Sequence, residues 1–171
     1  SRFRIRFSNW SIVVRVMAAP IVMLVTLALL SFVGWQTLKT QRAMIAAGYG
    51  RIVNVASIAG LRGDKYIAAY TAAKHAVVGL TRALAIEGRG TGITVNAVCP
   101  GYVDTPLTDE TIARIMQHTG KSWQEALTAV LEQSGQSRLI RASEVAEAIV
   151  SLCREGAAAP NGELIVLDGM D

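Results

Sequence analysis

The chain has 171 residues, long enough for one domain with a buried core and too short for two ordinary ones. It carries 17 Lys and Arg against 13 Asp and Glu, a net charge of +4. Residues 1–42 hold six of the basic side chains and no acid, so residues 43–171 have 11 basic and 13 acidic side chains. This uneven distribution argues against a nucleic-acid-binding surface spread over the whole chain.

The two cysteines and two histidines indicate neither a disulfide framework nor a metal site. Cys99 and Cys153 do not form a CxxC pair, which fits a reducing compartment. His75 and His118 have no cysteine or acidic cluster at ligand spacing. No metal ligand is therefore predicted.

Residues 16–35 form an uncharged, apolar run, VMAAPIVMLVTLALLSFVGW. A helix of this length would be about 30 Å long, the thickness of a bilayer core. Trp10 and Trp35 lie at or beyond its ends, as interfacial aromatic residues do. We therefore predict a membrane-spanning helix within an N-terminal segment 1–42. The alternatives are a buried helix of a core and a secretory signal.

The sequence FSNWSIVVRVMAAPIVMLVTLALLSFVGW loosely resembles the first transmembrane helix of bacterial methyl-accepting chemotaxis receptors. The resemblance supports membrane contact through residues 16–35 and carries no chemistry. The chain is then membrane-associated if this run spans the bilayer, and cytoplasmic otherwise. The four arginines before the run favour a cytoplasmic N-terminus, which would place the rest of the chain outside the cytoplasm.

Residues 43–171 alternate between strand-like and helix-like segments, which predicts an α/β fold with a parallel sheet covered on both faces. In chain order the predicted elements are a strand at 52–56, a helix at 67–87, a strand at 93–98 stopped by Pro100, helices near 107–118 and 122–134, a helix capped by Ser143, and a strand at 163–167. The glycines at 88, 90 and 92 follow a helix and precede a strand, so they indicate helix termination rather than a phosphate-binding loop.

Ser57, Tyr70 and Lys74 form the pattern Ser-x12-Tyr-x3-Lys between the first two predicted strands. Positions 70 and 74 lie one turn apart on the same face of a helix. A phenol is a poor proton shuttle at neutral pH, and an ammonium beside it stabilises the phenolate. A serine at the carboxyl end of a parallel strand can orient a substrate oxygen there. The three residues thus predict an acid/base site, the alternative being an ordinary solvent-facing tyrosine and lysine.

Three segments, GYGRIVNVASIAG, YTAAKHAVVGLTRALAIE and GITVNAVCPGYVDTP, resemble the short-chain dehydrogenase/reductase family in order and spacing. The resemblance runs from about Met44 to Gly169 and is nearest to 3-hydroxyacyl and 3-hydroxybutyrate dehydrogenases and 3-oxoacyl reductases. It implies the C-terminal half of a Rossmann-like, doubly wound parallel sheet, here a partial one behind an N-terminal hydrophobic helix. The implied domains are residues 1–42 and a catalytic half, 43–171.

The resemblance also implies roles for individual residues. Tyr70 is the acid/base as hydride moves between a nicotinamide and a secondary alcohol or ketone, Lys74 stabilises the phenolate and holds the nicotinamide ribose, and Ser57 orients the substrate. Four further residues match the PG-x-V-x-T segment beside the nicotinamide: Pro100, Gly101, Val103 and Thr105. The cofactor is NAD or NADP, the substrate is a small molecule, and residues 106–135 correspond to a substrate lid. Because the family often assembles through two long helices, a homo-oligomer is also implied.

The sequence departs from the family pattern on the cofactor side. It contains no TGxxxGxG turn, no NNAG strand and no counterpart of the family's fourth catalytic residue, an asparagine. Residues 52–56 would then form an exposed hydrophobic sheet edge. Three interpretations stay open: an oxidoreductase, a catalytically inactive membrane-anchored α/β fragment, and a product of gene fusion, frameshift or assembly without selected activity.

The missing turn generates a binding prediction. Residues 43–171 alone are expected not to bind NAD(P) tightly, because a half sheet lacks the crevice that holds a dinucleotide. Fluorescence or calorimetric titration of the isolated fragment with NADH and NADPH measures this. Micromolar binding to the monomer would contradict the prediction.

Overall fold

The computed structural model describes residues 39–154 and 159–170. The chain divides into two units at residues 46 and 47, and in the first unit the described residues, 39–46, are helical. The predicted membrane span, 16–35, lies outside the described residues. Within the described ranges, no helix combines the length and apolar character that crossing a membrane requires.

The second unit contains a three-stranded parallel sheet in the order β1-β2-β3. Its strands are β1 (Gly50–Val55), β2 (Ile93–Pro100) and β3 (Leu164–Leu167). The β1–β2 register pairs Gly50 with Ile93 and Val55 with Val98, and the β2–β3 register pairs Ala97 with Leu164. The predicted parallel α/β architecture is confirmed for this part of the chain.

Among the described residues of this unit, four helices and one short 3-10 turn connect and cover these strands. They are a 3-10 turn (Ile58–Gly60), α1 (Ala68–Glu87), α2 (Pro106–Thr119), α3 (Trp123–Ser134) and α4 (Ala142–Cys153). Helix α3 begins with a capping box, in which the hydroxyl of Ser122 and the carboxylate of Glu125 each accept a hydrogen bond from the other residue's backbone N–H. Gly120 and Gly135 end α2 and α3 in the left-handed conformation.

The central strand β2 forms the middle of the core. Ala97, Val98 and Cys99 have no exposed surface, and a cluster of Ala56, Val78, Ala97 and Cys99 packs α1 against β1 and β2. By contrast, β1 is an edge strand within the described sheet, and Val55 at its end is 48% exposed. The predicted exposed edge is therefore present at Val55, whereas Ala56, expected in the same edge, is buried.

Several predicted boundaries were wrong, beginning with that of β1, which is Gly50–Val55 rather than 52–56. Strand β2 does not stop before Pro100 but includes it as the last residue. The proline has no N–H to donate, and it is tolerated at the strand end, where the N–H of Gly101 donates to the carbonyl of Leu167 at 2.9 Å. Ser143 does not cap α4, because the helix begins at Ala142 and Arg141 occupies the cap position. The carboxylate of Glu144 instead accepts the Arg141 backbone N–H at 2.9 Å.

Glu144 also holds two guanidinium groups at the start of α4. Arg138 donates to both of its carboxylate oxygens at 3.0 Å, and Nε of Arg141 donates to one of them at 3.0 Å. The Arg138 side chain, then the Arg141 backbone and side chain, lower the pKa of Glu144 to about 2. The ionised carboxylate therefore joins α4 to the segment that precedes it.

This cluster predicts a pH-dependent contribution to stability. Because the folded-state pKa lies below the unfolded value, the contribution is present above about pH 4.5 and is lost as pH falls toward about 2. Glu144→Gln is expected to lower the urea midpoint at pH 7 and to change it much less near pH 2. The control is Glu147→Gln at an exposed position of the same helix. Equal midpoints for Glu144→Gln and the wild type at pH 7 would contradict the assignment.

Candidate active site

Ser57 lies two residues beyond the end of β1, at the carboxyl edge of the sheet. It is 8% exposed and occupies the cap position of the 3-10 turn, where its Oγ accepts a hydrogen bond from the backbone N–H of Ala59 at 3.2 Å. This bond uses an acceptor site of the hydroxyl and leaves its proton to donate elsewhere. The predicted serine is thus fixed by local backbone structure at the edge where open α/β sheets bind ligands.

Tyr70 and Lys74 lie in the first two turns of α1, one turn apart. Nζ of Lys74 lies 5.6 Å from the centroid of the Tyr70 ring and donates to the carbonyl of Val55 at 3.0 Å. The Tyr70 side chain is 44% exposed, so its phenol is accessible to a small molecule. The structure therefore brings Lys74 beside both Tyr70 and the end of β1.

A close backbone approach joins the Ser57 turn to the helix that carries Tyr70 and Lys74. A Cβ built on Gly60 would lie 2.7 Å from the carbonyl oxygen of Lys74 and 3.1 Å from a methyl of Val78. Only glycine fits this contact without a shift of backbone. Gly60 was not among the predicted site residues, so its function as a contact point between the Ser57 turn and α1 was missed.

The Pro100–Thr105 segment begins at the last residue of β2 and continues along the same edge of the sheet. Gly101 packs against the amide of Gln136, which accepts the Tyr102 N–H at 2.7 Å and donates to the Tyr102 carbonyl at 3.2 Å. Farther along, the carbonyl of Val103 accepts the hydroxyls of Thr105 at 3.3 Å and Thr108 at 2.6 Å. The predicted PG-x-V-x-T segment thus connects the end of β2 to the start of α2.

Several residues near these segments were not predicted as part of a site. Cys99 is buried beside the Ser57 backbone, and burial raises the pKa of its thiol, which disfavours a nucleophilic thiolate. Burial likewise raises the pKa of Tyr102, with further contributions from Asp64 and Tyr70. No spacing rule identifies Gln136, Tyr102 or Asp64, because each depends on contacts between segments far apart in the chain.

With this geometry described, the chain can be compared with known proteins. The family described as Enoyl-(Acyl carrier protein) reductase matches residues 24–169, most of the chain. The chain belongs to the short-chain dehydrogenase/reductase family. The match begins inside the apolar run 16–35 and contains Ser57, Tyr70 and Lys74.

Similar proteins include cyclohexanol dehydrogenase of Acinetobacter sp., 42% identical over 74% of this chain and 45% of its own length. D-beta-hydroxybutyrate dehydrogenase of Rhizobium meliloti is 37% identical over 71% of this chain and 48% of its own. The chain spans about half the length of the curated relatives it matches.

Solved structures give the same result. Actinorhodin polyketide ketoreductase with NADPH aligns with a TM-score of 0.67 and 41% identity, over 74% of this chain and 48% of that one. 4-Hydroxyisoleucine dehydrogenase complexed with NADH aligns with a TM-score of 0.65 and 27% identity, over 78% of this chain and 52% of that one. The Rossmann-like parallel architecture of the described unit is therefore shared with these oxidoreductases.

The contact at Gly60 generates a mutational prediction. Gly60→Ala is expected to destabilise the fold by about 1–3 kcal/mol, because its Cβ would press on the Lys74 carbonyl and separate the Ser57 turn from α1. Gly63→Ala is the matched control in the same loop, since nothing lies within 4 Å of its Cβ. Thermal unfolding measures both variants. Equal melting temperatures for the two would contradict the proposed contact.

Proposed function

We propose that this chain carries the acid/base half of an NAD(P)-dependent oxidoreductase site. The reaction is hydride transfer between a nicotinamide and a secondary alcohol or ketone, with 3-hydroxyacyl or 3-oxoacyl compounds as the substrate class. The observation that supports it is the position of Lys74, beside the Tyr70 ring and bonded to the strand end that leads to Ser57. The membership of the chain in a family of dehydrogenases and reductases supports the same reaction.

In the reduction direction, Tyr70 donates its phenolic proton to the substrate oxygen. The ammonium of Lys74, 5.6 Å from the ring centroid, stabilises the phenolate that remains. Ser57 donates a hydrogen bond to the same substrate oxygen and keeps its own proton, since its Oγ accepts the N–H of Ala59. In the oxidation direction the alcohol proton moves to the Tyr70 phenolate, while Ser57 again only donates a hydrogen bond.

The residues present fit the nicotinamide end of a dinucleotide. An ammonium has three donors, and Val55 uses one of those on Lys74, which leaves others for ribose hydroxyls. Pro100, Gly101, Val103 and Thr105 would line the nicotinamide ring. When bound, the nicotinamide supplies or accepts the hydride. The TGxxxGxG turn for the pyrophosphate is not among the 171 residues, so the chain's own residues account for one end of the cofactor only.

The second candidate function is a catalytically inactive α/β module. A module made of these 171 residues alone has no TGxxxGxG turn to contact the pyrophosphate of a dinucleotide that would bring a hydride donor to Tyr70. The two candidates share every residue of the site and differ only in turnover.

Tyr70→Phe tests the proposed function directly. The variant removes the proton donor and keeps the ring, so oxidation of NADH or NADPH with a 3-oxoacyl substrate should fall by roughly 10²–10⁴-fold. Tyr66→Phe is the matched control, since Tyr66 is fully exposed four residues away and is expected to leave the rate unchanged.

The assay uses the full chain and follows absorbance at 340 nm across pH 6 to 9. Equal rates for the wild type and Tyr70→Phe would remove the enzymatic assignment and favour the inactive module. A loss confined to Tyr66→Phe would place the acid/base elsewhere.

A further inference from the structure

The segment that leads into β3 contains the dipeptide Asn161-Gly162. The chain has four asparagines, and this one alone is followed by glycine. In such a pair the backbone nitrogen of the glycine can attack the side-chain amide carbon of the asparagine, because glycine has no Cβ to hinder the approach. The sequence therefore contains a site of spontaneous deamidation, and its rate depends on what the fold does to these two residues.

The side chain of Asn161 bonds two backbone groups that lie far apart in the chain. Its Oδ1 accepts the N–H of Val95 at 2.9 Å, and its Nδ2 donates to the carbonyl of Ala85 at 2.9 Å. Ala85 lies in the last turn of α1, whose final carbonyls have no partner within the helix. Because one partner can only donate and the other can only accept, the orientation of the amide is fixed. The side chain thus joins the end of α1 to β2.

The backbone of Gly162 is held against the same strand. Its N–H donates to the carbonyl of Val95 at 2.9 Å. Its φ is 86°, a left-handed conformation that glycine adopts without strain, and a Cβ built on it would lie 3.3 Å from Cβ of Ala85. The nitrogen that would attack Asn161 is therefore itself engaged in a hydrogen bond.

Asn96 holds the residues on either side of the dipeptide. Its Nδ2 donates to the carbonyl of Pro160 at 2.8 Å, and its Oδ1 accepts the N–H of Glu163 at 3.0 Å. The Asn96 side chain belongs to a residue that is only 1% exposed. Attack on the Asn161 amide consequently requires that its two hydrogen bonds and that of Gly162 break together, in a segment whose flanking residues resist the movement.

We propose that Asn161 is a deamidation site that the native fold suppresses and that local opening of residues 160–163 exposes. Hydroxide removes the proton of the Gly162 N–H, the nitrogen forms a bond to Cγ of Asn161, and Nδ2 takes up a proton and leaves as ammonia. Water then opens the succinimide to aspartate or isoaspartate, with no change of oxidation state. This modification is independent of the proposed oxidoreductase function.

The product cannot restore the contacts of the amide at neutral pH. A carboxylate at position 161 could still accept the N–H of Val95, but its second oxygen would face the carbonyl of Ala85 without a proton between them. Isoaspartate also lengthens the backbone, whereas the carbonyl of Glu163 must accept the N–H of Ala97 at 2.9 Å where β3 begins. A single opening event would thus leave a lasting defect at the start of β3.

The first test measures deamidation of the wild-type chain at pH 8 in water enriched in heavy oxygen, with and without urea. A synthetic peptide of residues 160–164 is the unfolded reference in both solvents, and mass spectrometry follows the labelled product. The unfolded chain should react as fast as the peptide, and the native chain on the order of 10²-fold more slowly, from three hydrogen bonds of ordinary net strength. Asn54 and Asn96 are internal controls, since Val55 and Ala97 hinder the attack, and both should react far more slowly in urea.

Two results of this measurement would overturn the proposal. One is a native chain that deamidates at position 161 as fast as the peptide, which would show that the contacts of Asn161 and Gly162 give no protection. The other is an unfolded chain that keeps the Asn161 amide while the peptide loses it.

The second test uses Asn161→Asp to reproduce the product. Its urea midpoint should be lower than that of the wild type at pH 7, and the difference should shrink near pH 4, because the protonated carboxyl can again donate to the carbonyl of Ala85. Gln124→Glu makes the same change of amide to acid at an exposed position of α3 and should lose no stability at pH 7. Equal midpoints for Asn161→Asp and the wild type at pH 7 would contradict the lasting defect.

Discussion

The hydrogen bond from Lys74 to the carbonyl of Val55 joins the helix and the strand that carry the site. The N–H of Ala56 points at β2, where it bonds Val98 at 2.8 Å, so the carbonyl of the same peptide, that of Val55, points away from β2. The ammonium satisfies this carbonyl at the edge of the described sheet. Gly60 permits the matching approach of the Ser57 turn to the backbone of Lys74. Ser57, Tyr70 and Lys74 therefore occupy one neighbourhood through backbone contacts rather than through bonds to one another.

A second set of contacts fixes the opposite side of the site. The Gln136 amide bonds both backbone groups of Tyr102 and the carbonyl of Arg138, and Ser137 donates to the carbonyl of Gly169 at 2.5 Å. The turns after β2 and β3 are thus tied to the segment before α4. Arg138 of this segment donates to the carboxylate of Glu144 in α4, and Arg141 donates to the same carboxylate. The loop that would contact a nicotinamide is consequently positioned by residues more than 30 positions farther along the chain.

Much of this unit could be predicted from local patterns. The β-branched run before Ser57, the periodicity of α1 and the glycines after it identify β1, α1 and β2 to within two or three residues. The start of α4 was misplaced because Ser143 looks like a cap, whereas Glu144 supplies the hydrogen bond to the Arg141 N–H. The contacts of Gln136 with Tyr102 and of Arg62 with Ser134 were not predictable, since they join residues 34 and 72 positions apart in the chain. The membrane interpretation of residues 16–35 concerns residues outside those that the structure describes, and the family match starting at residue 24 overlaps it.

Substrate preference within this architecture must arise outside the Ser57–Tyr70–Lys74 group. In the proposed reaction that group would perform the same proton transfer on any secondary alcohol, and two relatives of similar identity are named for substrates as different as cyclohexanol and D-beta-hydroxybutyrate. The residues that can differ between members of the family are those that would face the parts of the substrate away from the reacting oxygen. The loop after the 3-10 turn, next to Ser57 in the chain, is tied to the end of α3, where Arg62 donates to the carbonyl of Ser134 at 2.7 Å. Arg62 keeps its positive charge in this contact and also lies 4.0 Å from the carboxylate of Asp64, so the pair adds no net charge beside the Ser57 turn.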